Sequence, residues 1–108
     1  MMKYGLSDDV IGWIGTVFTR YPEISKVILY GSRAKGNYKE GSDIDLSLIG
    51  EGINLPLLHR IETELDDLLL PYKIDLNIYE KIKNEALRGH IERVGRVFYE
   101  KKSIGDKA

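Results

Sequence analysis

The apolar positions of the chain fall into two rhythms, one near 3.6 residues and one of two. Val10, Ile14, Val17 and Phe18 recur at helical spacing. They follow Ser7-Asp8-Asp9, a capping hydroxyl and then acidic residues on the positive end of a helix dipole. Tyr21-Pro22 ends that helix. Lys26 to Tyr30 (KVILY) is an aliphatic, β-branched run and reads as a strand. Gly31 to Ser42 reads as a loop holding one helical turn around Ser32 to Lys35. Asp43 to Ile49 (DIDLSLI) alternates strictly and reads as a second strand, broken by Gly50 and Gly52. Leu55 to Leu70 is the clearest helix, with Pro56 in its first turn and Leu58, Ile61, Leu65, Leu68 and Leu69 on one face. Lys73 to Tyr79 (KIDLNIY) is a third alternating strand. Asn84 to Val94 reads as a helix with Leu87, Ile91 and Val94 inward and Gly95 as its stop. Val97 to Tyr99 adds a short last strand. The order predicts an α/β (α+β) fold, a small mixed sheet packed with helices.

The two alternating strands share a design. Strand side chains point to opposite faces in turn, so Asp43, Asp45 and Ser47 lie on one face and Ile44, Leu46 and Leu48 on the other. In the third strand Asp75 and Asn77 oppose Ile74, Leu76 and Ile78. If the strands are neighbours with their aliphatic faces on one core, three carboxylates converge. Adjacent strands lie about 4.8 Å apart. Carboxylates that close cannot all stay ionised without a cation. A pair of hard divalent ions held by oxygen ligands answers the charge, and Mg²⁺ suits a site with few carboxylates and room for phosphate oxygens. An Asp-x-Asp alone is a weak signal and is more often a solvated strand end. The matching face of a second strand strengthens it.

Composition narrows the classes. The 108 residues suit one domain, 1–108, with 100–108 expected to fray. The chain is 43% hydrophobic and 31% charged, as in ordinary globular proteins. It has no cysteine, which excludes disulfides and thiolate metal sites. Its amino terminus lacks the apolar run of a signal peptide, and no segment is apolar enough for a membrane span, so a cytoplasmic location is expected. Sixteen basic and 17 acidic residues leave a net charge of −1, without the basic excess of a dedicated nucleic-acid binder.

Between the first two strands stands GSRAKG. Gly31 permits backbone conformations closed to other residues and lets a ligand approach the main chain. Ser32 brings a hydroxyl, and a helical turn starting there presents free N–H groups to phosphate. Arg33 and Lys35 add positive charge. The segment lacks the GxxxxGK[ST] of a Walker A loop, and Gly-Ser taken alone reads first as a plain surface turn.

The combination is more specific than its parts. Gly31-Ser32, ten residues, Asp43-Ile44-Asp45 and a third aspartate on a later strand resemble the nucleotidyltransferase superfamily with the DNA polymerase β fold. Its small bacterial members, the minimal nucleotidyltransferases, are the most similar, over about Lys26 to Tyr99. The resemblance implies that Gly31 and Ser32 hold the β and γ phosphates of a nucleoside triphosphate, expected to be ATP. It implies that Asp43 and Asp45 ligate two Mg²⁺ ions, and that Asp75 completes the site of the metal that activates an attacking hydroxyl. The implied reaction is transfer of a nucleoside monophosphate with loss of pyrophosphate. Small members of that family pair with a helical HEPN-type protein as antitoxin and toxin, and the antitoxin can transfer AMP to a tyrosine of the toxin. The shortness of this chain fits an acceptor supplied by such a partner. Transfer to a small molecule such as an aminoglycoside, or neutralisation of a partner by contact alone, are the alternative readings.

Other residues carry bland expectations. His59 and His90 read as surface or packing residues. Tyr30 and Tyr79 read as sheet residues that could also line a nucleotide pocket. Glu62, Glu64, Asp66 and Asp67 read as a solvated helix face. Trp13 suits either a core or an interface.

Overall fold

The computed structural model describes residues 2–102. A hairpin opens the chain: β1 (Met2–Lys3) pairs antiparallel with β2 (Leu6–Ser7). Tyr4 and Gly5 take positive φ of 60° and 75° at its turn, the conformation two-residue hairpins need. This hairpin escapes the hydrophobic rhythm because its strands have only two residues each. Helix α1 (Asp8–Thr19) begins where Ser7 Oγ accepts the Val10 N–H at 3.2 Å. Strand β3 (Ile24–Tyr30) starts two residues earlier than the aliphatic run suggests. Helix α2 (Gly31–Lys35) follows without a linker and stops at Gly36, φ 90°. Strand β4 is Ile44–Gly50, so Asp43 stands just before it and Gly50 is paired rather than a break. A Cβ at Gly50 would overlap the Glu23 carbonyl oxygen, which explains a glycine inside a strand.

Helix α3 (Leu55–Asp66) is capped by Asn54, whose Oδ1 accepts the Leu57 N–H at 3.0 Å. It ends earlier than its leucine pattern predicts. Leu69 has φ 55° and is 87% exposed, so the expected apolar face loses that residue and gains Leu57. Strand β5 (Ile74–Ile78), a 3₁₀ turn at Tyr79–Lys81, helix α4 (Glu85–Val94) and strand β6 (Arg96–Glu100) complete the described chain. Glu100 pairs with Lys26, and Lys101 N–H donates to Ser25 O at 2.9 Å, so the expected fraying does not begin at residue 100. Residues 103–108 of that expected tail lie outside the described residues.

The four-stranded sheet has the order β5-β4-β3-β6. It is mixed: β4 runs antiparallel to β3 and parallel to β5, and β3 and β6 are antiparallel. The α3 crossover makes the parallel pair possible. Register partners share a face, so Val27 and Leu29 lie beside Leu48 and Leu46. These residues are fully buried with Ile14, Phe18 and Ile61 of α1 and α3. At the seam of the two helices Tyr21 and Arg20 both bond Glu64, so this acidic residue is a cross-link rather than part of a solvated face. The opposite face of the sheet carries Ile28, Tyr30, Asp45, Ser47, Asp75 and Asn77, by the same alternation. Helix α4 packs there, its terminal Gly95 so close to Ile28 that a Cβ would overlap the side chain.

Candidate active site

Two strands and one tight turn build the site. The parallel register sets Asp45 opposite Asp75 and Ser47 opposite Asn77. Asp43, one residue before β4, adds the third carboxylate. One oxygen from each of Asp43, Asp45 and Asp75 lies within 4.8 Å of the others. The expected convergence of the two aspartate-bearing faces is therefore what the sheet produces. Asp43 is exposed, and Asp45 and Asp75 are half-buried.

The charges act on one another. Asp45 is held above the usual carboxylate range, first by burial, then by the Asp75 and Asp43 carboxylates and by a hydrogen bond shared with Asp75. Lys73 Nζ, 3.8 Å from Asp75 Oδ1, is 72% exposed and compensates little. Three hard oxygen donors at this spacing, one of them disfavoured as an anion, fit a divalent cation of the Mg²⁺ type.

Beside the carboxylates, on the same face of the sheet, runs a neutral chain. The fully buried Ser47 hydroxyl donates to Asn77 Oδ1, and Asn77 Nδ2 donates to Tyr30 Oη at 2.8 Å. Tyr30 is the register partner of Asp45. Burial, and then the charge on Asp45, raise its phenol above the ordinary value. Three strands are thus tied by side chains next to the acidic cluster.

Gly31 begins α2 beside this cluster. Its φ is 75°, and a Cβ there would overlap Asp45 Oδ2. Glycine is required twice over, by backbone conformation and by the closeness of the carboxylate. The N-cap residue Tyr30 makes no side-chain cap bond, so the first N–H groups of α2 are open to other acceptors. One is taken: Gly31 N–H donates to His90 Nε2 at 3.2 Å. His90 also meets Tyr30 edge to face, with centroids 6.0 Å apart. By sequence His90 reads as a surface or packing residue, since nothing in the periodicity of α4 separates a site-facing histidine from a surface one.

Arg33 and Lys35 are not part of the cluster. Arg33 is 2% exposed, and its guanidinium donates to Tyr4 O at 2.9 Å and to Ser42 O at 3.1 and 2.8 Å. The rings of Tyr38 and Tyr72 lie 5.3 and 5.0 Å from it. It is a clamp joining the first hairpin to the Gly31–Ser42 segment, in place of the phosphate contact its charge suggested. Lys35 is exposed at the end of α2, in an open cleft with Lys3 and Arg96.

Known proteins share this fold. Residues 13–104 match the family model described as polymerase beta, nucleotidyltransferase. A Methanocaldococcus jannaschii protein, assigned as a candidate protein adenylyltransferase, is 32% identical over 83 residues, which are 70% of this chain and 79% of that protein. Among solved structures, a toxin–antitoxin with AMP-PNP superposes with a TM-score of 0.69 at 17% identity, over 85% of this chain and 74% of that one. A complex of an MNT antitoxin with tri-AMPylated HEPN toxin from Shewanella oneidensis gives 0.64 at 15% identity, over 85% and 71%. At such identities the structural likeness speaks for the fold. The family match spans most of the chain, and the chain belongs to the polymerase β nucleotidyltransferase family and is a nucleotidyltransferase.

Proposed function

We propose that the protein transfers AMP from Mg²⁺-bound ATP to a hydroxyl of a HEPN-type partner protein, as the antitoxin of a two-component system in the cytoplasm. The observation that carries the reading is the convergence of Asp43, Asp45 and Asp75 beside the Gly31-Ser32 turn. In this reading the whole chain is one nucleotidyltransferase domain. Asp43 and Asp45 hold two Mg²⁺ ions, and Asp75 completes one of the two sites. Bound there, the ions supply charge neutralisation for the phosphate oxygens and for the entering and leaving groups.

The chain's own groups do the rest. Gly31 and Ser32 offer an N–H and a hydroxyl to the β and γ phosphates, at the end of a turn that Asp45 packs against. Asp75, with a side chain 46% exposed, faces solvent enough to meet an acceptor and to take its hydroxyl proton. The acceptor oxygen forms a bond to the α-phosphorus, the bond to the bridging oxygen breaks, and pyrophosphate leaves with the electron pair. Positioning of the two reactants supplies much of the rate. The partner assignment is supported by the structural neighbours, among them an antitoxin complexed with an AMPylated HEPN toxin. The acceptor class is supported by the relative assigned as a protein adenylyltransferase.

The test incubates the protein, Mg²⁺ and a HEPN-type protein with ATP labelled at the α-phosphate, or in parallel at the γ-phosphate. Label from the α position only, on the partner and absent with Asp45→Asn, is the expected result. Label on a small molecule instead would move the acceptor. Neutralisation of the partner that survives in Asp45→Asn, with no label transferred, would replace the enzyme reading by contact alone.

A further inference from the structure

We infer that His90 is a placeholder ligand for the nucleotide's phosphate: its imidazole holds the Gly31 amide in the free protein and must be displaced when a triphosphate binds. The inference rests on the proposed reading of Gly31 as a phosphate contact. Its geometric part stands on the structure alone.

A backbone N–H has one hydrogen to donate, and at Gly31 it goes to His90 Nε2 at 3.2 Å. A phosphate oxygen bound by the same N–H would sit about 2.9 Å from the nitrogen, in the space that Nε2 now fills. Both cannot be accommodated. An imidazole that accepts at Nε2 carries its proton on Nδ1, so it turns a lone pair toward the place where anionic oxygens would arrive. The nucleotide therefore gains the amide only by moving the ring.

The ring has a defined way to be held and to be moved. It comes from α4, one residue before the buried anchor Ile91, while His90 itself is only half-buried. Its other neighbour is the Tyr30 ring, met edge to face. The Tyr30 hydroxyl is bonded by Asn77, which holds that ring in place, while His90 keeps part of its surface in solvent. The placeholder also explains how the amide, next to three carboxylates and an uncapped turn, is satisfied without a ligand. Rotation of one side chain exchanges an internal acceptor for an external one, and the fold itself need not rearrange.

The consequence is quantitative. The exchange subtracts one hydrogen bond from the gain on binding, so removing the acceptor should tighten binding by about three- to tenfold. The experiment measures the Kd of Mg²⁺ with a non-hydrolysable ATP analogue for wild type, His90→Ala and His90→Gln, together with KM and kcat for ATP. We expect His90→Ala to lower Kd and KM by that factor, with KM and kcat read separately. His90→Gln, which restores an acceptor of similar reach, should return toward wild type. In the wild type, NMR should show the Gly31 amide and the His90 ring nitrogens shifting together as analogue is added, a readout that needs no variant to fold. Equal or weaker binding by His90→Ala would overturn the inference. So would an analogue that saturates the protein while the His90 resonances stay fixed, a result that leaves the proposed function standing. A wild type that binds no nucleotide at all overturns the proposed function itself.

Discussion

Asp45 and Asp75 are direct register partners in the parallel pairing of β4 with β5. Their approach is imposed by backbone hydrogen bonds on two adjacent strands, so the pair stays together whatever the carboxylates prefer. The repulsion shows in Asp45, which is held above the ordinary carboxylate range by burial and by its two acidic neighbours. The sheet thus stores an electrostatic cost where a cation and a nucleotide are expected.

Relieving that cost should separate stability from activity. Asp45→Asn keeps the shape and removes the charge. In metal-free buffer its Tm should equal or exceed that of wild type by a few degrees, since a repelled and partly desolvated anion is gone. Nucleotidyl transfer should fall by at least about 10²-fold. Calorimetry and a labelled-ATP assay on the same preparations check both. A destabilised variant would show that Asp45 is held by favourable contacts in the free protein.

Gly31→Ala should fail for two independent reasons. Alanine at φ 75° costs about 1–2 kcal/mol in backbone strain. Its Cβ would also overlap Asp45 Oδ2, which must then leave its place in the carboxylate cluster. The expected result is a stability loss of about that size by urea denaturation, with a larger proportional loss of transfer. A variant with full activity would show that the carboxylate can shift without consequence.

The carboxylate motif and the sheet were legible in the sequence because both follow from period-two alternation. DIDLSLI and KIDLNIY each declare one aliphatic face, and adjacency of the strands then leaves no choice about where the aspartates go. What was not legible depends on contacts between residues distant along the chain. Arg33 looks like a phosphate ligand beside Gly31-Ser32. It turns inward because Tyr4, Tyr38 and Tyr72 supply a carbonyl and two ring faces from three separate segments. His90 lies 59 positions from Gly31, and no local rule links them. Leu69 fits the helical stripe, yet α3 stops at Asp66 and Leu69 itself takes a left-handed backbone beyond it.

Arg33→Ala should accordingly lower stability rather than phosphate affinity. The substitution leaves the Tyr4 and Ser42 carbonyls without their donor and opens a gap between two tyrosine rings. A loss of about 2–4 kcal/mol is expected from the lost bonds and packing. Nucleotide Kd, measured on the folded protein well below its Tm, should change by less than about threefold. A large rise in Kd with unchanged Tm would return Arg33 to the phosphate site.

Asn77→Leu tests the polar chain beside the cluster. Leucine removes the acceptor of the fully buried Ser47 hydroxyl and the donor to Tyr30 Oη. Leaving a buried hydroxyl unpaired costs about 1–3 kcal/mol. The urea midpoint should fall with an unchanged m value. Pairing the substitution with Ser47→Ala should recover part of the loss, because the orphaned hydroxyl is then gone. Simple additivity of the two losses would mean that the Ser47–Asn77 bond contributes nothing.

The raised Asp45 sets opposite pH responses with and without Mg²⁺. In the metal-free protein the folded state holds the Asp45 proton more tightly than the unfolded chain does. Between the ordinary aspartate value of 3.8 and the raised folded value, the folded state therefore binds more protons, and the contribution of this group to stability falls as pH rises. With Mg²⁺ present the sign reverses, because the ion needs the carboxylate and binding must expel the proton. Affinity, and the stabilisation it confers on the folded state, then grow as pH rises through the same window. The measurement is Tm against pH for wild type and Asp45→Asn, in EDTA and in excess Mg²⁺. The gap between the two wild-type curves should widen with pH and vanish at the acid end, while the two Asp45→Asn curves should stay close throughout. A wild-type gap that is independent of pH would mean that the stabilising ion binds away from Asp45, and would remove the three-carboxylate cluster from consideration as the metal site.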